Sequence, residues 1–192
     1  MNYSAIVDRT FANRKVFTHG DKLMKNAFLY DLAKSTPAVK KPGGTVQLAY
    51  EKDFPVVAGQ NAAMALVVLK KGGIREPHWH PDAWEFDYCI SGKARMSVVG
   101  PDNEWREFKV EPGQIVFVPQ GYFHYFENIG KEDLRFLIVF NNSTRESNDD
   151  IGVSVSLGGT PNQVLASTFG VPKADFKPIP KLHKEVIITR RR

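Results

Sequence analysis

The sequence predicts an all-β protein, a small antiparallel barrel or sandwich with an N-terminal arm and a C-terminal helical extension. Three observations predict it. Between Thr45 and Phe140 lie eight short stretches rich in β-branched and aromatic residues. Turn signals built from Gly, Pro, Asn and Asp separate them. No helical pattern interrupts the series, so the strands close on one another as an antiparallel sandwich or barrel.

Residues 1–44 form the leading arm, where DKLMKNAFLYDLAKS is expected to be a short helix broken by TPAVKKPGG. Residues 45–142 form the barrel. Its strands are TVQLAYE, AAMALVVLK, EFDYCIS, KARMSVVG, REFKV, QIVFVP, HYFENI and LRFLIVF. Residues 143–192 hold a polar lid loop (NNSTRESNDD), a short helix and a basic tail. VSVSL alternates like one more edge strand. TPNQVLASTFG reads as a helix with Thr160 as N-cap, Pro161 at the first helical position and Gly170 as the stop. The three prolines of VPKADFKPIPK leave it extended or in a very short helix.

The chain's 192 residues are enough to bury one core, and 42% hydrophobic with 24% charged residues fits a globular protein. No apolar run reaches the roughly 20 residues a membrane helix needs. The first residues lack an apolar block behind a basic start, so no secretory signal is read there. The single Cys89 cannot form an intramolecular disulfide, which fits a reducing compartment, and a cytoplasmic protein is expected. The net charge of +5 resides in the tail: Lys173 to Arg192 carries seven Lys/Arg against two Asp/Glu, and the rest balances. Without stacking aromatics among these charges, the tail reads as a solvated terminus, and neither nucleic acid nor membrane is an expected partner.

The chemistry concentrates in two blocks. EPHWHPDAWEFDYCISG places His78 and His80 two residues apart, on one face of a strand, with Glu85 opening the next strand. Pro77 and Pro81 bracket the pair and remove backbone donors from the ladder. GQIVFVPQGYFHYFEN carries His124 just after a Pro-x-Gly turn. Two imidazoles and a carboxylate suit a divalent transition metal better than Ca²⁺ or Mg²⁺, which prefer oxygen shells. His19 and His183 have no such context and read as surface residues. Trp79, Trp84, Trp105, Phe86 and Tyr88 read as core or interface fillers, and Cys89 as an inert strand residue.

These blocks resemble the two motifs of the cupin superfamily. Gly72, His78, His80, Glu85 and Gly92 fill the first, and Gly113, Pro119, Gly121, His124 and Asn128 fill the second. The resemblance implies a cupin double-stranded β-helix, a jelly-roll barrel, with His78, His80, Glu85 and His124 as metal ligands inside it. Four protein ligands leave two positions open on a six-coordinate ion, an arrangement that favours Mn²⁺ or Fe²⁺, with Ni²⁺ and Zn²⁺ as alternatives.

From about Gly43 to Pro172 the chain is similar to one half of the two-domain oxalate decarboxylases. That likeness implies oxalate or a related small dicarboxylate as substrate, with Arg75 orienting a carboxylate through paired hydrogen bonds. It also implies a catalytic glutamate in the loop after the last barrel strand. Counting without gaps, the family position falls on Ser147, with Glu146 one residue earlier. A mobile loop tolerates that offset, and Glu146 is the expected proton donor; Asp149 and Asp150 read as solvated. Without a positioned acid, the same metal site implies an oxalate oxidase of the germin type or an Fe²⁺ dioxygenase, each consuming O₂. A non-catalytic, spherulin-like binding cupin is the third reading. Having one barrel where the family has two, the chain is expected to form a homodimer or higher homo-oligomer.

Overall fold

The computed structural model describes residues 27–143, 150–181 and 186–191. The strands are β1 (Val39–Lys41), β2 (Gly44–Ala49), β3 (Ala63–Leu69), β4 (Gly73–Trp79), β5 (Glu85–Ser91) and β6 (Ala94–Val99). They continue with β7 (Trp105–Val110), β8 (Ile115–Val118), β9 (Phe123–Asn128), β10 (Leu134–Phe140), β11 (Ile151–Gly152) and β12 (Ile188–Arg190). Two helices follow the barrel, α1 (Val153–Gly159) and α2 (Asn162–Phe169).

Two antiparallel sheets face each other. One runs β1-β2-β3-β10-β5-β8, the other β11-β4-β9-β6-β7, with β12 also on β4. The core between them is apolar, with Val46, Ala65, Leu69, Met96, Phe126, Leu134 and Phe136 essentially shielded from water. Phe126 of one sheet meets Phe136 of the other edge-on at 5.0 Å. Burying side chains of this size contributes about 1.5–3 kcal/mol each. All eight expected strands are present to within two residues at either end, and β5 and β10 match at both ends.

β4 stood outside the series of eight, although a strand was expected at His78 and His80; it ends at Trp79, one residue short of His80. Its sequence, GIREPHW, lacks two-residue alternation because Arg75, Glu76 and His78 are all buried. A bulge explains this: Arg75 pairs with Phe126 and His78 with His124, so two residues on β4 oppose one on β9. The bulge lets Arg75 and His78, three apart, share the inner face, which a regular strand forbids.

Several expectations at the two ends are corrected. Within the described part of DKLMKNAFLYDLAKS there is only a three-residue 3-10 turn, Leu32–Lys34, capped by the Asp31 carboxylate. VSVSL forms α1 rather than a strand, because the Glu76 carboxylate accepts the Ser154 N–H and anchors a helical turn. Tertiary contact here overrides local alternation. Thr160 is no N-cap; it closes α1, its hydroxyl donating to the Ser156 carbonyl at 2.8 Å. Pro161 takes the N-cap position of α2, and Gly170 ends that helix in the left-handed region at φ 67°, as expected. Lys173–Phe176 is a single 3-10 turn. The tail is not simply solvated: Ile188, Thr189 and Arg190 pair with Arg75, Ile74 and Gly73.

β5 inverts the usual polarity of a sheet. Glu85, Asp87 and Cys89 point inward, while Phe86, Tyr88 and Ile90 point to solvent, each more than 40% exposed. Ile115 and Phe117 of β8 extend this outer apolar face, and Trp84, Phe86 and Phe117 pack on one another there. Phe86, Tyr88 and the exposed Trp105 are therefore not core residues. Among the described residues, no helix is long and apolar enough to cross a membrane.

Candidate metal centre

Three strand segments deliver the four residues. His78 lies on β4 and His80 just beyond its end, Glu85 opens β5, and His124 is the second residue of β9. The Gly121 N–H donates to the His80 carbonyl at 2.9 Å, tying the two sequence blocks together. Gly121 sits at φ +77°, where a side chain would be strained, so the Pro-x-Gly turn delivers His124 to that point. Gly92 ends the first block at φ +84°, and a Cβ there would lie 2.6 Å from the Leu134 Cα.

One potential ligand atom from each of His78, His80, Glu85 and His124 lies within 4.8 Å of the others, and all four side chains are buried. The His78 and His124 rings are 4.1 Å apart between centroids, and His78 and His80 meet edge-on at 5.0 Å. His124 Nε2 is 2.9 Å from one Glu85 oxygen and His80 Nε2 is 3.4 Å from the other. Phe140 walls the site, edge-on to His80 at 5.1 Å.

Backbone carbonyls set the tautomers. His78 Nδ1 is 2.7 Å from the Glu76 carbonyl and His124 Nδ1 is 2.9 Å from the Tyr122 carbonyl. A carbonyl only accepts, so each Nδ1 carries the proton and each Nε2 turns a lone pair into the site. At His124 that lone pair faces a carboxylate oxygen across 2.9 Å. Two acceptors so close repel unless a proton or a cation lies between them. The donor set thus fits a divalent transition metal.

Electrostatics agree. Burial, aided by Arg75 and the neighbouring imidazoles, pushes His78 well below its ordinary value and keeps it neutral. At Glu85 burial opposes ionisation, but positive charge and hydrogen bonding on the His124 and His80 side outweigh it and hold the carboxyl below its usual range, so the ionised carboxylate calls for a proton or a cation between it and those nitrogens. Asp87, two residues along the same face, is pushed well above its usual range by burial, then by the Glu85 charge and their hydrogen bond. The reading of EFDYCIS had no role for Asp87, although strand alternation alone puts it on the Glu85 face.

Arg75 is buried, at 2% side-chain exposure. Its Nη2 donates to Asp150, whose side chain is 3% exposed, and its Nη1 is 4.0 Å from Glu76. Asp150 is therefore not a solvated loop residue. Glu146, Ser147, Asp149, His19 and His183 lie outside the described residues. Cys89 is buried in its strand, and that burial raises its thiol pKa.

A jelly-roll barrel with three imidazoles and one carboxylate converging inside it defines a cupin, and the chain belongs to that family: the Cupin model matches residues 30–175. Among curated relatives, the oxalate decarboxylase OxdC of Bacillus subtilis (strain 168) is 41% identical over 139 residues, covering 72% of this chain and 32% of OxdC. Spherulin-1A of Physarum polycephalum is 30% identical over 154 residues, covering 79% of this chain and 57% of spherulin. A solved structure of the Bacillus subtilis oxalate decarboxylase, studied for its Mn(II) centers, superposes with a TM-score of 0.76 at 30% identity, covering 93% of this chain and 45% of that one. The chain thus spans less than half the length of the oxalate decarboxylases it matches.

Proposed function

We propose that this chain is a Mn²⁺-dependent cupin enzyme that decarboxylates oxalate or a related small dicarboxylate. One observation carries the reading: the β4 bulge turns Arg75 to the same inner face as His78, so a buried guanidinium stands beside the ligand cluster. His78, His80, Glu85 and His124 would hold the ion, and the likeness to a protein with Mn(II) centers supports Mn²⁺ over Fe²⁺, Ni²⁺ or Zn²⁺. Bound there, the metal supplies Lewis acidity and redox capacity to a chelating carboxylate. Arg75 binds and orients the substrate's far carboxylate through a planar fork of donors. Phe140 beside His80 helps exclude water. Glu146 is assigned the proton: oxalate loses CO₂ by C–C cleavage, and a C–H bond forms to give formate, with no net oxidant consumed.

Two neighbouring readings remain. Placing the loop's family position on Ser147 favours an oxidase, which would consume O₂ and release CO₂ and peroxide. The similarity to spherulin-1A favours a binding role without turnover. As part of the proposal, the outer apolar face of β5 and β8 meets a second copy in a homodimer or higher homo-oligomer. The deciding experiment is metal analysis of the purified protein together with an oxalate assay at mildly acidic pH. Formate formation with stoichiometric Mn²⁺ is expected; peroxide without formate, or no turnover by metal-loaded protein, overturns the decarboxylase reading.

A further inference from the structure

Arg75 already holds a carboxylate. Its guanidinium donates to Asp150 and lies 4.0 Å from Glu76, and all three side chains are at most 5% exposed. One buried cation therefore faces two buried anions. An incoming substrate carboxylate must therefore compete at the guanidinium with a carboxylate already seated there.

The two resident acids are not held alike. Glu76 is built into the scaffold: its carboxylate accepts the N–H of Ser154 at 3.0 Å and of Ile187 at 3.2 Å. Gly152 packs so closely on it that a Cβ would lie 2.3 Å from its Oε1. Asp150 immediately precedes the two-residue strand β11, which among the described residues pairs with Trp79 and His78 on β4. Its described hydrogen bonding as a side chain is to Arg75.

We infer that Asp150 is an internal competitor for Arg75: its carboxylate occupies the guanidinium until a substrate carboxylate, anchored at its other end on the metal, displaces it. This rests on the proposed role of Arg75 as a carboxylate anchor and adds a specificity device to it. A ligand offering one carboxylate must meet the displacement cost with a single contact, whereas a dicarboxylate meets it with two. With Asp150 in place, a small dicarboxylate still binds under that cost, while an acetate-like monoanion that relies on Arg75 loses most of its weaker binding. The same exchange sets residue 150 free from β4's flank whenever the site fills.

The test is oxalate and acetate binding to the metal-loaded full chain by calorimetry, in wild type, Asp150→Asn and Arg75→Gln. Asparagine keeps the shape and removes the Asp150 charge from Arg75. If Arg75 is unmasked in about a tenth of wild-type molecules, Asp150→Asn tightens oxalate binding about tenfold. Acetate is expected to gain at least as much, and Arg75→Gln to weaken oxalate. Weakened oxalate binding in Arg75→Gln with unchanged or weaker binding in Asp150→Asn overturns the competitor role and leaves the anchor standing. Unchanged binding in Arg75→Gln removes the anchor itself, and this inference with it. A second measurement needs no variant: backbone hydrogen exchange over residues 150–154 of the wild type should quicken on saturation with oxalate. Slower or unchanged exchange there counts against displacement.

Discussion

His78 and His124 stand opposite one another in the β4–β9 ladder, with ring centroids 4.1 Å apart. Strand pairing, rather than loop closure, thus brings the two sequence blocks together. Because the ladder holds the rings in place, His124→Ala should keep the fold and lose the ion. Bound metal after dialysis should fall at least about 100-fold in affinity, beyond the 10–100-fold typical of removing an outer-shell partner, with unchanged far-ultraviolet circular dichroism. Full metal retention would remove His124 from the ligand set.

Asp87 gives a pH-dependent prediction. Its carboxyl is raised in the folded chain, so between pH 3.8 and its folded value the native state holds a proton that the unfolded state has lost. Stability is then fully present below pH 3.8 and declines as pH rises through the folded value. Asp87→Asn removes that decline. Metal-free Asp87→Asn should melt a few degrees above metal-free wild type at neutral pH, at about 2–4 °C per kcal/mol for a chain of this size. The difference should shrink toward zero near pH 4. A variant less stable at neutral pH would show that the charged form is the one the barrel accommodates.

Gly152 should resist substitution. In Gly152→Ala the new methyl would press on the Glu76 carboxylate, which the Ser154 and Ile187 N–H groups hold in place. Overpacking of this kind costs about 1–3 kcal/mol. Thermal melting should fall accordingly while metal stoichiometry stays intact, since none of the four ligand residues changes. Wild-type melting would mean that Glu76 does not brace α1.

The outward face of β5 and β8 predicts association. Ile115→Lys combined with Phe117→Glu should lower the assembled mass measured by light scattering to that of one chain, without loss of bound metal. Both side chains are at least 48% exposed, so the substitutions leave the core untouched. An unchanged mass would move the interface elsewhere or leave the protein monomeric.

Much of this was legible in the sequence. The eight strands show as stretches rich in β-branched and aromatic residues set off by turn residues, and the four candidate ligands stand out as two short blocks. What escaped the sequence depends on long-range contact. A strand was expected at His78, but the rest of β4 was hidden because Arg75 and Glu76 are buried charged groups and the bulge breaks the alternation. α1 was hidden because Glu76, some eighty residues earlier, caps the start of a V-S-V-S run. Asp150 carried no local signal at all; its partner is Arg75, seventy-five positions away. Asp87 was within reach, since it shares a face with Glu85 by simple strand parity.

β12 has a consequence for how the molecule can fail. It covers Gly73, Ile74 and Arg75, while β11 covers His78 and Trp79, so the flank of β4 facing away from β9 is occupied from both ends of the strand. Proteolytic removal of residues 188–190 would leave unsatisfied N–H and C=O groups along that flank, a template on which another molecule's strand can add. Such nicked protein should first betray itself by clumping, well before its inner chemistry changes.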